Sequence, residues 1–290
     1  MITTQAILDR IKQLPTISAS LERLTALTRD ERSGAADFER VIRPDPALTA
    51  NLLRIANSAW FGLRSRADTV RQAITLLGIK RVYEAAASAA MARVIPQRLP
   101  GYEIDAQAFW THSVAVAVLA ERLAKQVGTR PPDLTFTAAL LHDVGKLVIG
   151  VFVSEESGAI LDQVRAGGRP FVTAERDVLG VDHAEVGAEV ARAWRLPDAA
   201  MYAARWHHQP ETTPPEADRT LVELVHTADA LAHSIGFGAD AGELARRVDP
   251  AVKARLGLRT ADLERVAGES LDPIREMSAL LLEPAGGGRA

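Results

Sequence analysis

The sequence predicts an all-α protein made of two helical lobes. Apolar residues recur three and four positions apart in segment after segment, which is the period of an amphipathic helix. The β-branched alternation that is typical of strands is almost absent, and aromatic residues make up only 5% of the chain. We place one helical lobe over residues 1–100, a larger helical bundle over 101–282, and a Gly-rich disordered tail over 283–290.

The helices of the first lobe carry clear start and stop signals. The segment "SASLERLTALTRD" places three leucines on one face, and "DPALTANLLRIANSAWFG" starts at an N-cap, Asp45, followed by a proline at the first helical position. Asn57, near the end of this helix, can satisfy free carbonyls or shape the turn that follows. Gly78 is placed to separate two further helices, and "LPGYEIDAQ", residues 99–107, is the predicted linker to the second lobe.

The second lobe is predicted as a series of apolar helices with a loop at 210–219, "PETTPPEADR". The helical segments are "AFWTHSVAVAVLAERLAKQVG", "AALLHDVGKLVIG", "EVGAEVARAWRLP", "AAMYAARWHHQP" and "TLVELVHTADALAHSIG".

Composition excludes several classes of protein. Among 290 residues, 47% are hydrophobic and 24% charged, which is typical of a soluble globular protein. The net charge of -3 predicts no electrostatic attraction to nucleic acid or to an anionic membrane. No apolar run reaches the ~18 residues of a membrane span, and the N-terminus does not resemble a signal peptide, so we expect a cytoplasmic protein. Because the chain has no cysteine, only His, Asp or Glu could hold a metal.

Histidines and acids interrupt these apolar helices. The pair His142-Asp143 lies among Leu140, Leu141 and Val144, where burial costs several kcal/mol unless it is compensated. A lone histidine in such a place is more often a hydrogen-bonded core residue than a ligand. Inward imidazoles and carboxylates from five helices together instead predict a metal site in the bundle core. The candidate ligands are His112, His142, Asp143, His183, His207, His208 and Asp229.

Nitrogen and oxygen ligands without sulfur suit Fe, Mn, Zn, Ni or Mg. Two further histidines, His226 and His233, share a helical face with Asp229 and could orient a ligand or be ordinary core residues. Lys146 follows Asp143 by three positions, so it could contact a phosphate or pair with a nearby carboxylate.

The order H, HD, H, HH, D and the stretch "HDVGK" resemble the HD-domain superfamily. The resemblance implies that His112, His142, Asp143 and Asp229 are the core ligands and that Asp143 can bridge two metal ions. It also implies that His183 and the His207-His208 pair match the extra ligands of the binuclear subgroup, which includes cyclic-dinucleotide phosphodiesterases. One or two divalent ions are therefore expected.

Five segments resemble, more narrowly, the HDOD family, over about residues 5–280. They are "QLPTISASLERLTAL", "VIRPDPALTANLLRIANSAWFG", "TVRQAITLLGIKRV", "FWTHSVAVAVLAERLA" and "ARWHHQP". The resemblance implies a two-lobe, all-α output domain of bacterial signal transduction, with signalling proteins as partners. Many members of this family have lost some of the HD ligands and have no established catalysis.

The sequence departs from the active cyclic-di-GMP phosphodiesterases at two places. "HHQPETTPPEAD" lacks the Gly-Tyr-Pro motif that follows their histidine pair, and Ala108 stands where a trinuclear site would place a glutamate. Two functions stay open. One is a regulatory, protein-binding module with a metal that is structural or vestigial. The other is a metal-dependent phosphohydrolase for a phosphomonoester or nucleotide, in which Asp143 and Lys146 would be the catalytic residues. The sequence does not predict an oligomeric state.

Overall fold

The computed structural model describes residues 4–11, 19–128, 134–152, 157–167, 169–238 and 246–280. Within these ranges the chain forms fifteen α-helices, and its strands are the two-residue pair Arg98–Leu99 and Ile104–Asp105. The all-α prediction is therefore confirmed, whereas the predicted disordered tail, 283–290, lies outside the described residues. The helices are α1 Thr4–Arg10, α2 Ala19–Arg29, α3 Ala35–Ile42, α4 Pro46–Ala56, α5 Val70–Val94, α6 Ala106–Gln126, α7 Thr135–Leu140, α8 Lys146–Phe152, α9 Ser157–Gly167, α10 Phe171–Leu179, α11 His183–Ala193, α12 Asp198–Trp206, α13 Arg219–Ser234, α14 Pro250–Arg255 and α15 Thr260–Ala279.

The helices divide between two compact units. The larger unit combines α1 with the chain from residue 95 to residue 271, and the smaller unit combines α2 to α5 with the end of α15, from residue 272. The sequence predicts continuous lobes over 1–100 and 101–282, whereas each unit of the structure combines two stretches of the chain. In the part of the chain that the structure describes, no helix has both the length and the apolar character needed to cross a bilayer.

The smaller unit is organised around α4. The Asp45 side chain accepts a hydrogen bond from the Leu48 amide at 2.9 Å, and Pro46 occupies the first turn, as predicted. At the other end of α4, Asn57 Nδ2 donates to the carbonyls of Leu53 at 2.7 Å and Ala67 at 2.9 Å, and its Oδ1 accepts from the Ala67 amide at 2.8 Å. One side chain thus satisfies a free helix carbonyl and holds the following turn.

Gly78 divides α5, also as predicted. Its φ of +82° lies in the left-handed region, where glycine has no steric penalty.

The segment 99–107 is folded rather than an open linker. Leu99 and Tyr102 are buried, and a single 3₁₀ turn, Pro100–Tyr102, lies between the two short strands. Gly101 packs against α8, where a β-carbon would lie 3.0 Å from Gly150 Cα. The segment does connect α5 with α6, and these contacts bury it in the larger unit. Asp105 then caps α6 by accepting from the Ala108 amide at 2.8 Å.

The His142-Asp143 pair lies in a turn between α7 and α8, not inside a helix as the apolar period predicted. Its hydrogen bonds join residues three apart, such as Lys146 N to Asp143 O at 2.9 Å. The helix is interrupted where Gly145 meets α11, a long-range contact that local periodicity does not encode.

Candidate metal centre

The structure brings together all the side chains that the sequence singled out as metal ligands. They come from α6 (His112), the turn after α7 (His142 and Asp143), the start of α11 (His183), the residues that follow α12 (His207 and His208) and α13 (Asp229). All are buried to an exposed fraction of 2% or less except His208, which is half-buried. Their roles as ligands stay a prediction, but their positions are those of one cluster.

Four of these residues form what we call the first ligand set: His112, His142, Asp143 and Asp229. His112 Nε2 lies 3.3 Å from Asp229 Oδ1 and 3.6 Å from Asp143 Oδ2. His142 Nε2 lies 3.5 Å from Asp143 Oδ2 and 3.8 Å from Asp229 Oδ1. Around an ion with bonds of about 2.1 Å, neighbouring ligand atoms are ~3.0–3.4 Å apart, so these four atoms need only small shifts to surround one ion.

The second ligand set is Asp143 with His183, His207 and His208. It uses the other carboxylate oxygen, because Asp143 Oδ1 lies 3.4 Å from His183 Nε2 and 3.6 Å from His207 Nε2. The Asp143 carboxylate therefore lies between the two sets, where the resemblance to the HD superfamily places a bridging ligand.

Several ligand atoms of the cluster are buried without a hydrogen bond to any residue that the structure describes. They are His112 Nε2, His142 Nε2, His207 Nε2, Asp143 Oδ1 and Asp229 Oδ1. A buried polar atom without a partner costs roughly 1–3 kcal/mol. Five such atoms in one cluster therefore require a common partner. The cluster can hold a metal ion, and its nitrogen and oxygen donors fit the divalent metals predicted from the sequence.

Backbone carbonyls set the tautomers of the three histidines whose Nε2 atoms have no hydrogen bond among the described residues. The Nδ1 atoms of His112, His142 and His207 lie 2.9, 2.8 and 2.9 Å from the carbonyl oxygens of Phe237, Ala139 and Ala204. Because a carbonyl only accepts, each Nδ1 carries the proton and each Nε2 presents a lone pair to the cluster. This is the usual orientation of metal-binding histidines.

The protonation states of His142, Asp143 and Asp229 are those that bind a metal ion. Burial lowers the pKa of His142 to about 3 and so keeps it neutral. Burial alone would raise the pKa of Asp143 and of Asp229, but nearby cations hold both pKa values well below the usual range. Lys146 Nζ lies 2.8 Å from Asp143 Oδ2, so of its two predicted roles the structure shows pairing with a carboxylate. The cation beside Asp229 is Arg246, at 2.6 Å from Oδ2.

Sequence reasoning missed Glu175, a fully buried residue of α10. Its carboxylate accepts from the His183 amide and from His183 Nδ1, each at 2.8 Å, and from the Tyr102 hydroxyl at 2.6 Å. Burial opposes protonation of His183, but Glu175 raises its pKa above the ordinary value. A signal was present, since Glu175 lies four residues from both Phe171 and Leu179 on the buried face of the helix.

Arg246 was also missed, and no spacing pointed to it because it lies outside any described helix.

The structure shows the contacts of His226 and His233, the two histidines for which the sequence left the role open. His226 Nδ1 donates to the His207 carbonyl at 2.8 Å and its Nε2 accepts from the Asp249 amide at 3.2 Å, so it orders backbone. His233 Nε2 lies 3.5 Å from Asp229 Oδ1, beside the first ligand set.

The sequence profile of the HDOD domain matches residues 14–210, about two thirds of the chain. The chain belongs to the HDOD family. Within this HDOD protein the matched region contains His112, His142, Asp143, His183 and His207, whereas Asp229 and Arg246 lie beyond it.

Two curated relatives are longer than this HDOD chain. An uncharacterized protein of Treponema pallidum is 25% identical over 212 residues, which are 73% of this chain and 40% of that protein. Ribonuclease Y of Aquifex aeolicus is 34% identical over 121 residues, which are 41% of this chain and 16% of that enzyme. The chain therefore spans less than half the length of either relative.

Solved structures share the HDOD fold. A proposed phosphohydrolase from Shewanella amazonensis superposes with a TM-score of 0.76 at 23% identity, over 95% of this chain and 97% of that one. A proposed signal-transduction protein from Marinobacter aquaeolei superposes with a TM-score of 0.75 at 24% identity, over 94% of this chain and 60% of that one. At these identities the likeness concerns the fold alone.

Proposed function

We propose that the protein is a cytoplasmic signal-transduction module whose larger unit binds a divalent metal ion and regulates other signalling proteins. The observation that carries the metal site is the convergence of five buried ligand atoms, on three histidines, Asp143 and Asp229, that have no hydrogen bond within the described part of the chain. In the bound state the ion would compensate ligand atoms of the first set and join α6, the turn after α7 and α13 through their side chains. The ion's contribution is then to the stability and conformation of the module.

Two features favour regulation over hydrolysis. Lys146 and Arg246 already neutralise the two carboxylates of the cluster from inside the protein, at 2.8 and 2.6 Å. The Gly-Tyr-Pro motif of active cyclic-di-GMP phosphodiesterases is missing after His207-His208. Because its ligand atoms are buried, the site is suited to enclosing an ion rather than to admitting a phosphorylated substrate.

A metal-dependent phosphohydrolase is the second candidate. It is favoured by the complete ligand list and by Lys146 beside Asp143, where an ammonium group could hold a phosphoryl oxygen. A divalent ion would supply Lewis acidity and an activated water. Asp143 would hold the ions and Lys146 would orient the phosphate. The Shewanella protein that shares this fold is itself a proposed phosphohydrolase, which is consistent with this candidate.

Metal analysis tests the proposed site. Purified protein, stripped and then reconstituted separately with Mn²⁺, Fe²⁺, Zn²⁺, Ni²⁺ or Mg²⁺, is expected to retain at least one equivalent of one of these ions. Asp143→Asn should abolish retention, because Asp143 contributes to both ligand sets. A bound ion at 100 times its Kd stabilises a protein by about 2.7 kcal/mol, which a thermal scan with and without chelator measures. Absence of retained metal for all five ions would refute the proposal.

Turnover assays separate the two candidates. The reconstituted protein is incubated with a chromogenic phosphomonoester, a phosphodiester and cyclic dinucleotides, beside the D143N variant. We expect no turnover above that of D143N. Hydrolysis by the wild type that D143N and chelator both abolish would establish the phosphohydrolase instead.

We propose protein partners rather than nucleic acid or membrane because 37 acidic residues outnumber 34 basic ones. Since one relative is named a ribonuclease, the test uses fluorescence anisotropy with a labelled single-stranded RNA and flotation with anionic vesicles. Neither is expected to bind at physiological salt. Salt-sensitive binding to either would contradict this part of the proposal.

A further inference from the structure

Arg246 connects the two ligand sets without being a ligand. Its Nη1 lies 2.6 Å from Asp229 Oδ2, in the first set, and its Nη2 lies 2.7 Å from His208 Nδ1, in the second. Its side chain is only 11% exposed. A largely buried guanidinium group thus lies between His208 and Asp229.

The contact with Arg246 determines the state of His208. A guanidinium only donates, so His208 Nδ1 accepts and the proton of the neutral ring lies on Nε2. His208 Nε2 lies 2.7 Å from His183 Nε2, to which it can donate. The neutral His183 ring can accept there because its Nδ1 donates to Glu175 at 2.8 Å. The chain Arg246, His208, His183, Glu175 is therefore a continuous line of hydrogen bonds with one direction.

This line uses the atoms that a second ion would need. His208 Nε2 carries a proton instead of a lone pair, and the lone pair of His183 Nε2 is directed at that proton. Only His207 Nε2 and Asp143 Oδ1 of the second set remain without a hydrogen bond among the described residues. The first set has no such competitor on His112 Nε2 or His142 Nε2.

We infer that Arg246 is an internal cation that closes the second ligand set, so that the protein binds one metal ion, in the first set. This inference rests on the proposed metal site and adds its stoichiometry. Arg246 is a positioning residue: it acts through His208 and Asp229.

The test measures bound metal per chain. Wild type and variants are saturated with Zn²⁺ or Mn²⁺, freed of excess ion, and analysed by mass spectrometry for metal content. We expect one equivalent in the wild type and two in Arg246→Ala. The matched control, Arg247→Ala, removes the neighbouring exposed arginine and should retain one. The double variant R246A/H208A should return to one, since His208 is the ligand that R246A releases.

The outcomes distinguish this inference from the proposal on which it rests. A wild type without metal would refute the metal site itself. A wild type with two ions, or an R246A variant that folds by circular dichroism and still binds one, would overturn the role of Arg246.

A second measurement serves if R246A does not fold. In wild type labelled with ¹⁵N-histidine and loaded with one equivalent of Zn²⁺, His208 is expected to keep a protonated Nε2. A metal-bound shift at His208 Nε2 would overturn the inference.

Discussion

Gly145 packs directly against the backbone of His183: a β-carbon on Gly145 would lie 2.0 Å from the His183 carbonyl oxygen. It would also lie 2.5 Å from the Gly187 amide nitrogen. The turn that carries His142 and Asp143 is therefore seated on α11, the helix that carries His183. This contact brings Asp143 Oδ1 within 3.4 Å of His183 Nε2, inside the second ligand set.

Gly145→Ala is expected to destabilise the protein by about 3 kcal/mol, because the clashing atoms are backbone on the facing helix and cannot move cheaply. Urea denaturation followed by circular dichroism measures the loss. Gly268→Ala, in α15 of the same unit, is the matched control: nothing lies within 4 Å of its β-carbon, and alanine should stabilise the helix by up to ~1 kcal/mol. Equal stability of G145A and wild type would show that the contact is not tight.

Glu175→Gln is expected to lower the pKa of His183 below its ordinary value. Burial lowers this pKa and the Glu175 carboxylate raises it, so removal of the charge leaves burial dominant. NMR titration of the His183 ring in metal-free protein measures the shift. Glu223→Gln, which removes a buried carboxylate paired with Arg219 and Arg255, should leave the His183 pKa unchanged. If the His183 pKa does not fall in E175Q, the Glu175 carboxylate does not control the protonation of His183.

His226 should contribute to acid sensitivity. Burial, and then the charge of Arg246, lower the pKa of His226, so the folded protein keeps it neutral while the unfolded chain protonates it below about 6.5. Since the unfolded state binds more protons, this contribution to stability is full above pH 6.5 and is lost as the pH falls toward the folded pKa.

His226→Asn should reduce the slope of the unfolding free energy against pH, between pH 5 and 6.5, by up to about 1.4 kcal/mol per pH unit. Urea denaturation of metal-free protein over pH 5–8 measures both curves. The difference in unfolding free energy between wild type and variant at pH 8 gives the cost of the substitution itself. Parallel curves for wild type and variant would contradict the prediction.

Asn57→Ala should destabilise the smaller unit by about 2–3 kcal/mol, because it removes three hydrogen bonds and leaves the Leu53 and Ala67 groups without this partner. Hydrogen exchange of the amides in α4 and in the turn to Ala67 measures the loss locally. Asn51→Ala, on the same helix, removes only a contact with Arg54 and should cost well under 1 kcal/mol. Similar effects of the two variants would argue against the role of Asn57.

The residues of the cluster could be predicted from the sequence because each is a polar exception in an apolar stretch. His112, His183 and Asp229 are all conspicuous for this reason, since burial without compensation would be unfavourable. The roles of Asp45 as an N-cap and of Gly78 as a helix break could also be predicted, because capping and positive φ are local requirements of the backbone.

The sequence by itself determined the helical class and the polar residues of the cluster, both of which are visible as local patterns along the chain. The tertiary structure alone decided that His142 and Asp143 lie in a turn, that Gly145 must be small, and that Arg246 pairs with Asp229 and His208. These are contacts between residues far apart in the chain, so they have no period or spacing that sequence patterns could reveal. The physical reason is packing: whether a buried charge meets a metal ion or an arginine depends on which distant segment the fold brings beside it.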